Sequence, residues 1–187
     1  MTRIIAGEAG SLGLLVPKTS TRPTSDRVRE AMFSALESRL DFDGTRVLDL
    51  YAGSGALGLE AISRGATHAT LVDSHPEVCR VLRANAKKVS TALAREVSID
   101  VRCQPVNRAL VALATAEPWD LVFLDPPYEL DDSTLLAELE ALAPLLQPDA
   151  LVVVERSAHG SSPTWPEGYG VAGEKTYGDT RVVTLSR

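Results

Sequence analysis

The sequence predicts an α/β fold built on a mainly parallel, doubly wound sheet, and three observations carry that expectation. From residue 45 onward, short apolar runs alternate with longer segments of helical periodicity, the pattern of strands joined by crossover helices. A glycine turn, Gly53-Ser54-Gly55-Ala56-Leu57-Gly58, joins the first of these strands to its helix. The last two apolar runs flank Gly178-Asp179 and read as an antiparallel hairpin, which completes seven strands. With 187 residues, 44% of them hydrophobic, the chain can bury one full core and is too short for two ordinary domains with a linker.

Taken in order, Arg3 to Gly7 and Leu12 to Val16 are separated by glycine-rich residues and suggest an N-terminal hairpin. Thr24 or Ser25 can cap a helix with Asp26 in its first turn and a buried stripe of Val28, Met32, Leu36 and Leu40. Residues 1–40 are thus expected to form a hairpin-and-helix extension, and residues 41–187 the main domain, in one compact unit. The sheet begins at Thr45 to Leu50, followed by a helix from Ala56 to Arg64 and a strand over 68–73. Ser74 and Glu77 have capping-box spacing, with Pro76 in the first turn of a helix reaching about Ala92. A strand Val97 to Cys103, a short helix Val106 to Ala114 and a strand Trp119 to Leu124 come next. Leu135, Leu136, Leu139 and Leu142 mark a helix over Thr134 to Ala143, and a strand spans 150–155. The hairpin pairs Tyr169 to Tyr177 with Arg181 to Leu185.

The chemistry concentrates at strand ends, where ligands of open α/β sheets collect. Asp125-Pro126-Pro127-Tyr128 follows the apolar run Trp119 to Leu124. The lone pair of an exocyclic amine is delocalised into its base ring, so a site that methylates it must reshape the nitrogen rather than deprotonate it. The Asp125 carboxylate and the Pro126 carbonyl can accept its two N–H bonds and turn its lone pair toward an incoming methyl group. Pro126 and Pro127 fix φ and remove competing donors, while Tyr128 offers a face on which an extruded base can stack. Without that chemistry, the same four residues are a proline-rich turn after a strand.

Gly53-x-Gly55-x-x-Gly58 also fits a dinucleotide fingerprint. Asp49 argues against it, because a carboxylate just before the glycines repels a pyrophosphate and suits the ammonium of a methionine-like group. Asp73, ending the next strand, is placed to accept ribose hydroxyls. The donor expected on these grounds is S-adenosylmethionine.

Arg3-Ile4-Ile5-Ala6-Gly7, the segment Arg22 to Glu30, the run Asp49 to Gly58 and Asp125 to Tyr128 together resemble the bacterial 16S rRNA guanine-N2 methyltransferases, a family of class I S-adenosylmethionine-dependent enzymes that modify guanine 966. The resemblance covers essentially the whole chain. It implies a catalytic set of Asp125, Pro126, Pro127 and Tyr128 and a cofactor set of Asp49, Tyr51, Gly53, Gly55, Asp73, Ser74, Gln104, Val106 and Asp125. The RNA-contacting set it implies is Arg3, Arg22, Pro23, Thr24, Arg27 and Arg29. The chain departs from a common pattern of the class after the strand ending at Cys103, where Gln104-Pro105 stands in place of an acid that reads adenine. The expected partner is 16S rRNA in the 30S subunit or its assembly intermediate, with the protein monomeric and cytoplasmic. A DNA or RNA adenine-N6 methyltransferase shares the amine geometry and is the main alternative, followed by a nicotinamide oxidoreductase and a non-catalytic RNA-binding module.

The net charge of −6 is unevenly spread: residues 1–29 carry five cations against two acids, leaving −9 on the rest. That asymmetry favours phosphate contact through the N-terminal part, although such a cluster is also compatible with a solvated surface. No apolar run approaches a bilayer span and no signal-peptide core is present. Cys79 and Cys103 have no metal-like spacing and are expected as buried thiols in a reducing compartment. No metal is expected, since His68, His75 and His159 lie apart from any ligand cluster.

Overall fold

The computed structural model describes residues 2–17, 25–127, 129–159 and 163–187. The N-terminal part holds β1 (Thr2–Arg3), β2 (Gly13–Leu14) and α1 (Asp26–Glu37). Then follow β3 (Arg46–Leu50), α2 (Ala56–Arg64), β4 (His68–Asp73), α3 (Pro76–Ala92), β5 (Ser98–Cys103) and α4 (Val106–Ala112). The chain continues through β6 (Trp119–Leu124), α5 (Asp132–Leu142), β7 (Leu146–Ser157), β8 (Gly170–Tyr177) and β9 (Thr180–Ser186). Seven strands form one sheet in the order β5-β4-β3-β6-β7-β9-β8. Neighbours from β5 to β7 run parallel, and β9 and β8 are antiparallel. The chain winds outward from β3 to β5 and then returns to β6 on the other side of β3, so the switch point lies between β3 and β6.

Each central strand is apolar on both faces because helices cover both sides. Val47, Leu71, Leu121, Phe123 and Val153 share one core with α1, α2 and α3. Leu48, Val72, Val122, Leu124 and Val152 point the other way, into a second core with α4 and α5. The period of two along each strand thus sorts side chains between two layers.

The helix starts show where local signals hold and where they do not. Ser25 caps α1, its Oγ accepting the Val28 N–H, and Asp131 caps α5 by accepting the Thr134 N–H. The Ser74–Glu77 capping box does not form. The residue before α3 is His75, with no side-chain cap, and Asp73 Oδ1 accepts the His75 N–H at 2.9 Å. In α1 the buried residues are Arg29, Met32, Phe33 and Leu36, while Val28 and Leu40 are only partly buried.

The N-terminal hairpin has shorter strands than expected because side chains, rather than a ladder, hold it down. Glu60 of α2, fully buried, accepts the N–H groups of Ile5 and Ala6. Ser63 Oγ accepts from Ala9 N and donates to Ala6 O. Asn85 of α3, also fully buried, bonds both backbone groups of Leu15 and donates to Ser54 O in the glycine turn. Gly7 has φ of +78°, and a Cβ there would lie 2.0 Å from Ser63 O, so this approach requires glycine. Ile4, Ala9, Leu14, Met32 and Phe33 belong to the same core as the sheet.

The cysteines correct the free-thiol expectation. Cys79, in the first turn of α3, and Cys103, the last residue of β5, are joined in a disulfide with Cα atoms 5.7 Å apart. Strand pairing explains the meeting, because Asp73 and Cys103 are partners and α3 starts back across the end of β4. Cys79 is buried and Cys103 exposed. Closing 24 residues of sequence constrains the unfolded chain by about 3 kcal/mol in the loop-entropy account. Protein denatured without reductant should therefore show no reactive thiol, and added reductant should lower its unfolding free energy by about that amount in urea titrations. Two reactive thiols before reduction would contradict the bridge.

Candidate active site

Three carboxylates converge where β3, β4 and β6 end. Leu50 pairs with both Val72 and Leu124, so Asp73 and Asp125 each follow one residue beyond the same row. Asp49 lies one residue back on β3, near enough that both acids add to the repulsion on its charge.

Asp49 is 1% exposed. Its Oδ2 accepts the Gly58 N–H at 2.9 Å, while Oδ1 is buried with no protein partner among the described residues. Burial first, then the charges of Asp125 and Asp73, push its carboxyl up to about 7 against the opposing pull of the Gly58 bond. A Cβ at Gly58 would lie 2.4 Å from Leu71 Cδ2 and 3.1 Å from Asp49 Oδ2, so this glycine lets α2 settle onto the carboxylate. Gly53 and Gly55 have φ of +55° and +80°, which bends the backbone over the strand end. A dry carboxylate with one unsatisfied oxygen beneath a glycine turn fits an ammonium group and not a phosphate.

Asp73 is fixed by its neighbours: Oδ2 accepts from Gly53 N at 3.2 Å and Oδ1 from His75 N. Each oxygen keeps lone-pair capacity for a hydroxyl. Beside it opens a cavity of about 670 Å³, whose walls include Tyr51, Asp73, Ser74, Pro105, Val106 and Glu138. This is the size and mixed polarity that an adenosyl group requires. Gln104 is not part of that wall; its backbone N–H instead donates to Asp73 O. Val106 is buried at the start of α4 and presents an apolar surface to the cavity.

Asp125 is partly exposed at the mouth of the site, and burial pushes its carboxyl up to about 6. Pro126 is buried and Pro127 exposed, and the carbonyl of Pro127 accepts the Leu130 N–H. Tyr128 lies outside the described residues, as do Lys18, Arg22, Pro23 and Thr24.

The described arginines of the RNA-contacting set differ from one another. Arg27 is exposed. Arg3 is exposed and pairs with Asp26 at 3.1 Å. Arg29 corrects the expectation of a phosphate contact: it is 1% exposed, and its Nη2 bonds Asp26 and the carbonyl of Arg3. Its guanidinium joins α1 to β1, as Arg3 and Arg29 share the Asp26 carboxylate and hold that acid below its ordinary value against the cost of its burial.

Residue-by-residue reading missed Glu138, Glu60 and Asn85. Glu138 of α5 is 6% exposed, accepts the Tyr51 hydroxyl at 2.7 Å through Oε1 and leaves Oε2 without a protein partner among the described residues. Tyr51 holds φ of +64°, and this bond fixes its ring along the cavity. The available signal was a polar residue on the core stripe of each helix. Glu138 adjoins Leu139 and precedes Leu142, Glu60 follows Leu57, and Asn85 follows Leu82.

Comparison with known proteins places this geometry in a family. The chain is 35% identical to Ribosomal RNA small subunit methyltransferase D of Escherichia coli over 181 residues, covering 94% of this chain and 85% of that protein. It is 34% identical to the protein of the same name from Haemophilus influenzae over 182 residues, 94% of this chain and 89% of that one. A solved structure of a hypothetical protein from Thermus thermophilus superposes with a TM-score of 0.82 at 31% identity, covering 98% of both chains. A magnesium protoporphyrin IX methyltransferase from Synechocystis, solved with bound S-adenosylmethionine, shares the fold at a TM-score of 0.64 and 13% identity, over 89% of this chain and 86% of that one. The model of the family described as Conserved hypothetical protein 95 matches residues 2–186. With the fold of a class I methyltransferase and a match along nearly its whole length, the chain belongs to this family of ribosomal RNA methyltransferases.

Proposed function

We propose that the protein transfers a methyl group from S-adenosylmethionine to the exocyclic N2 of a guanine in 16S rRNA, the base expected being guanine 966 of the small subunit. The observation that supports it most is the meeting of Asp49, Asp73 and Asp125 around one glycine turn, with an unsatisfied Asp49 oxygen at its floor. The kinship with small-subunit rRNA methyltransferases supplies the substrate class.

In this reading the donor brings a methyl group already activated on a sulfonium centre. Asp49 Oδ1 pairs with the donor's ammonium, and the backbone around Gly53 and Gly55 lies close over its tail. Asp73 accepts the ribose hydroxyls, while Val106 and the Tyr51 ring line the adenine side. Asp125, ionised above about pH 6, and the Pro126 carbonyl accept the two N–H bonds of the target amine. The nitrogen lone pair would then be turned toward the donor's methyl carbon, and the electron pair of the broken carbon–sulfur bond would stay with sulfur. The proton lost from the methylated nitrogen would pass to the Asp125 carboxylate that accepts its N–H bond, and from there to water. Rate enhancement comes from positioning and from acceptors set before the reaction, with no strong base required. Extruding the base costs a few kcal/mol in a duplex and less in a loop, which favours a loop guanine.

The direct test uses labelled donor with 30S particles and with free 16S rRNA, followed by nucleoside analysis. Label in N2-methylguanosine is expected; label only in N6-methyladenosine would move the assignment to the adenine alternative. Asp125→Ala should lower turnover by about 100-fold or more while changing S-adenosylhomocysteine affinity by less than about threefold. Parent-like turnover would remove Asp125 from its role.

Asp49 makes donor affinity depend on pH. Its carboxyl must be ionised to pair with the ammonium, and its proton leaves near pH 7. Affinity for S-adenosylhomocysteine should therefore climb as pH rises toward about 7, approaching tenfold per unit at the acid end, and then level off. Calorimetric titrations across roughly pH 5.5 to 8 should also show proton release on binding. A flat profile would place the ammonium elsewhere.

A further inference from the structure

On the opposite side of α3 from its core stripe of Val78, Leu82, Ala86 and Val89, three cations stand unclaimed. Arg80, Arg83 and Lys87 have i, i+3 and i+7 spacing, which sets them on one stripe roughly 10 Å long. All three are exposed, and none makes an ion pair among the described residues. Elsewhere this chain pairs its arginines freely: eight of them are held by an aspartate or glutamate. Glu77, one turn before Arg80, does not neutralise it. An unpaired cation row is notable on a protein whose net charge is −6.

The stripe borders a cleft. Between α3 and β5, the edge strand of the sheet, lies a groove of about 430 Å³ walled by Arg83, Lys87 and Ser90 and floored by the partly exposed Val97, Ile99 and Val101. Asp100 also reaches it, but its carboxylate is engaged by Arg102 at 2.8 Å. A cationic rim over an aliphatic floor suits a single nucleic-acid strand, whose phosphates meet the cations while an unpaired base covers the apolar side chains. A duplex keeps its bases stacked inside and would leave that floor wet. The position also suits the substrate. α3 begins three residues after Asp73, and Asn85 on its buried face clamps the N-terminal hairpin against the glycine turn.

We propose that the α3–β5 cleft is a second RNA contact, holding a single-stranded stretch of the substrate away from the target base, with Arg80, Arg83 and Lys87 on its phosphates. This rests on the rRNA reading above. The surface orients the RNA and takes no part in methyl transfer.

The test is the triple variant Arg80→Ala/Arg83→Ala/Lys87→Ala beside Lys175→Ala, which removes an exposed cation from β8 at the opposite edge of the sheet. Affinity for 16S rRNA is measured between roughly 50 and 200 mM salt, with steady-state methylation and S-adenosylhomocysteine binding alongside. The triple variant should flatten the slope of log affinity against log salt by about 2, the value for three single-strand phosphate contacts, and raise KM for RNA about tenfold or more. Its kcat and S-adenosylhomocysteine affinity should stay within about twofold of the parent, and Lys175→Ala should change nothing. A parent-like slope and KM in the triple variant overturns this inference while the rRNA reading stands, and so does an equal loss in Lys175→Ala. Loss of S-adenosylhomocysteine binding in step with RNA turnover overturns it as well, because the stripe would then act through the donor site. If a poly-glutamate peptide binds the parent as well as RNA does and loses that binding in the triple variant, the cleft is a protein-docking surface. Failure of the parent itself to bind or methylate RNA overturns the rRNA reading and this inference with it.

Discussion

The site depends on a carboxylate kept dry. Asp49 is walled by the sheet beneath, α2 to one side and the glycine turn above, and among the described residues only one of its oxygens has a protein partner. Moving its carboxyl from 3.8 to about 7 corresponds to on the order of 4 kcal/mol of disfavoured charge. No backbone donor beyond Gly58 relieves that cost, and two further acids increase it. In the proposed function a cation completes this group: a ligand bringing an ammonium to Oδ1 would offset the desolvation and satisfy that oxygen in one contact.

The same constraint explains why the N-terminal extension packs where it does. The glycine turn must stay closed over Asp49 although glycine favours no single conformation. Asn85 holds it from below through Ser54 O and, with its remaining atoms, grips Leu15. Glu60, two residues along α2 from the Asp49–Gly58 contact, carries Ile5 and Ala6. Two buried polar side chains therefore tie the extension to the helices that frame the donor site. Removing either would leave backbone groups unpaired in the interior, at about 1–3 kcal/mol each. The N-terminal extension and the glycine turn share this frame, so a disturbance of the hairpin would reach the glycine turn through α3.

Much of this was legible in the sequence because local and global signals agree along the central strands. α2, β4 and β6 have the expected bounds, since Gly65 ends one helix and short, nearly continuous apolar runs mark strands buried on both faces. Asp49, Asp73 and Asp125 were found because acids at the ends of apolar runs are conspicuous against buried neighbours. What stayed hidden required three-dimensional pairing. The meeting of Cys79 with Cys103 follows from the register of β4 against β5, which spacing along the chain does not reveal. Arg29 looked like one more cation in a basic segment, and only the fold of β1 over α1 shows its guanidinium sealed against Asp26. The Ser74 cap failed because α3 begins one residue later than it requires, with His75 in the capping position and its N–H held by Asp73. Glu138 could not be assigned to Tyr51 because 87 residues separate them.

Charge follows one logic throughout. Asp49, buried at a strand end with one oxygen lacking a partner among the described residues, is the acid that the proposed cationic ligand would neutralise, and most described arginines serve as internal ties between elements. Net charge is therefore a poor guide to the partner of this chain, since eight of its described arginines are already paired with the protein's own carboxylates. A polyanion is best recognised by cations without a carboxylate neighbour, and on the helix that leaves the Asp73 loop those are Arg80, Arg83, Lys87 and Lys88, the last of which donates to the Gly13 carbonyl. Because this row is separated from Asp49 by the thickness of α3 and its buried face, attraction for RNA and attraction for the donor act on different atoms. Salt screens the exposed row and leaves the dry carboxylate largely unaffected, so ionic strength should govern one binding event and pH the other.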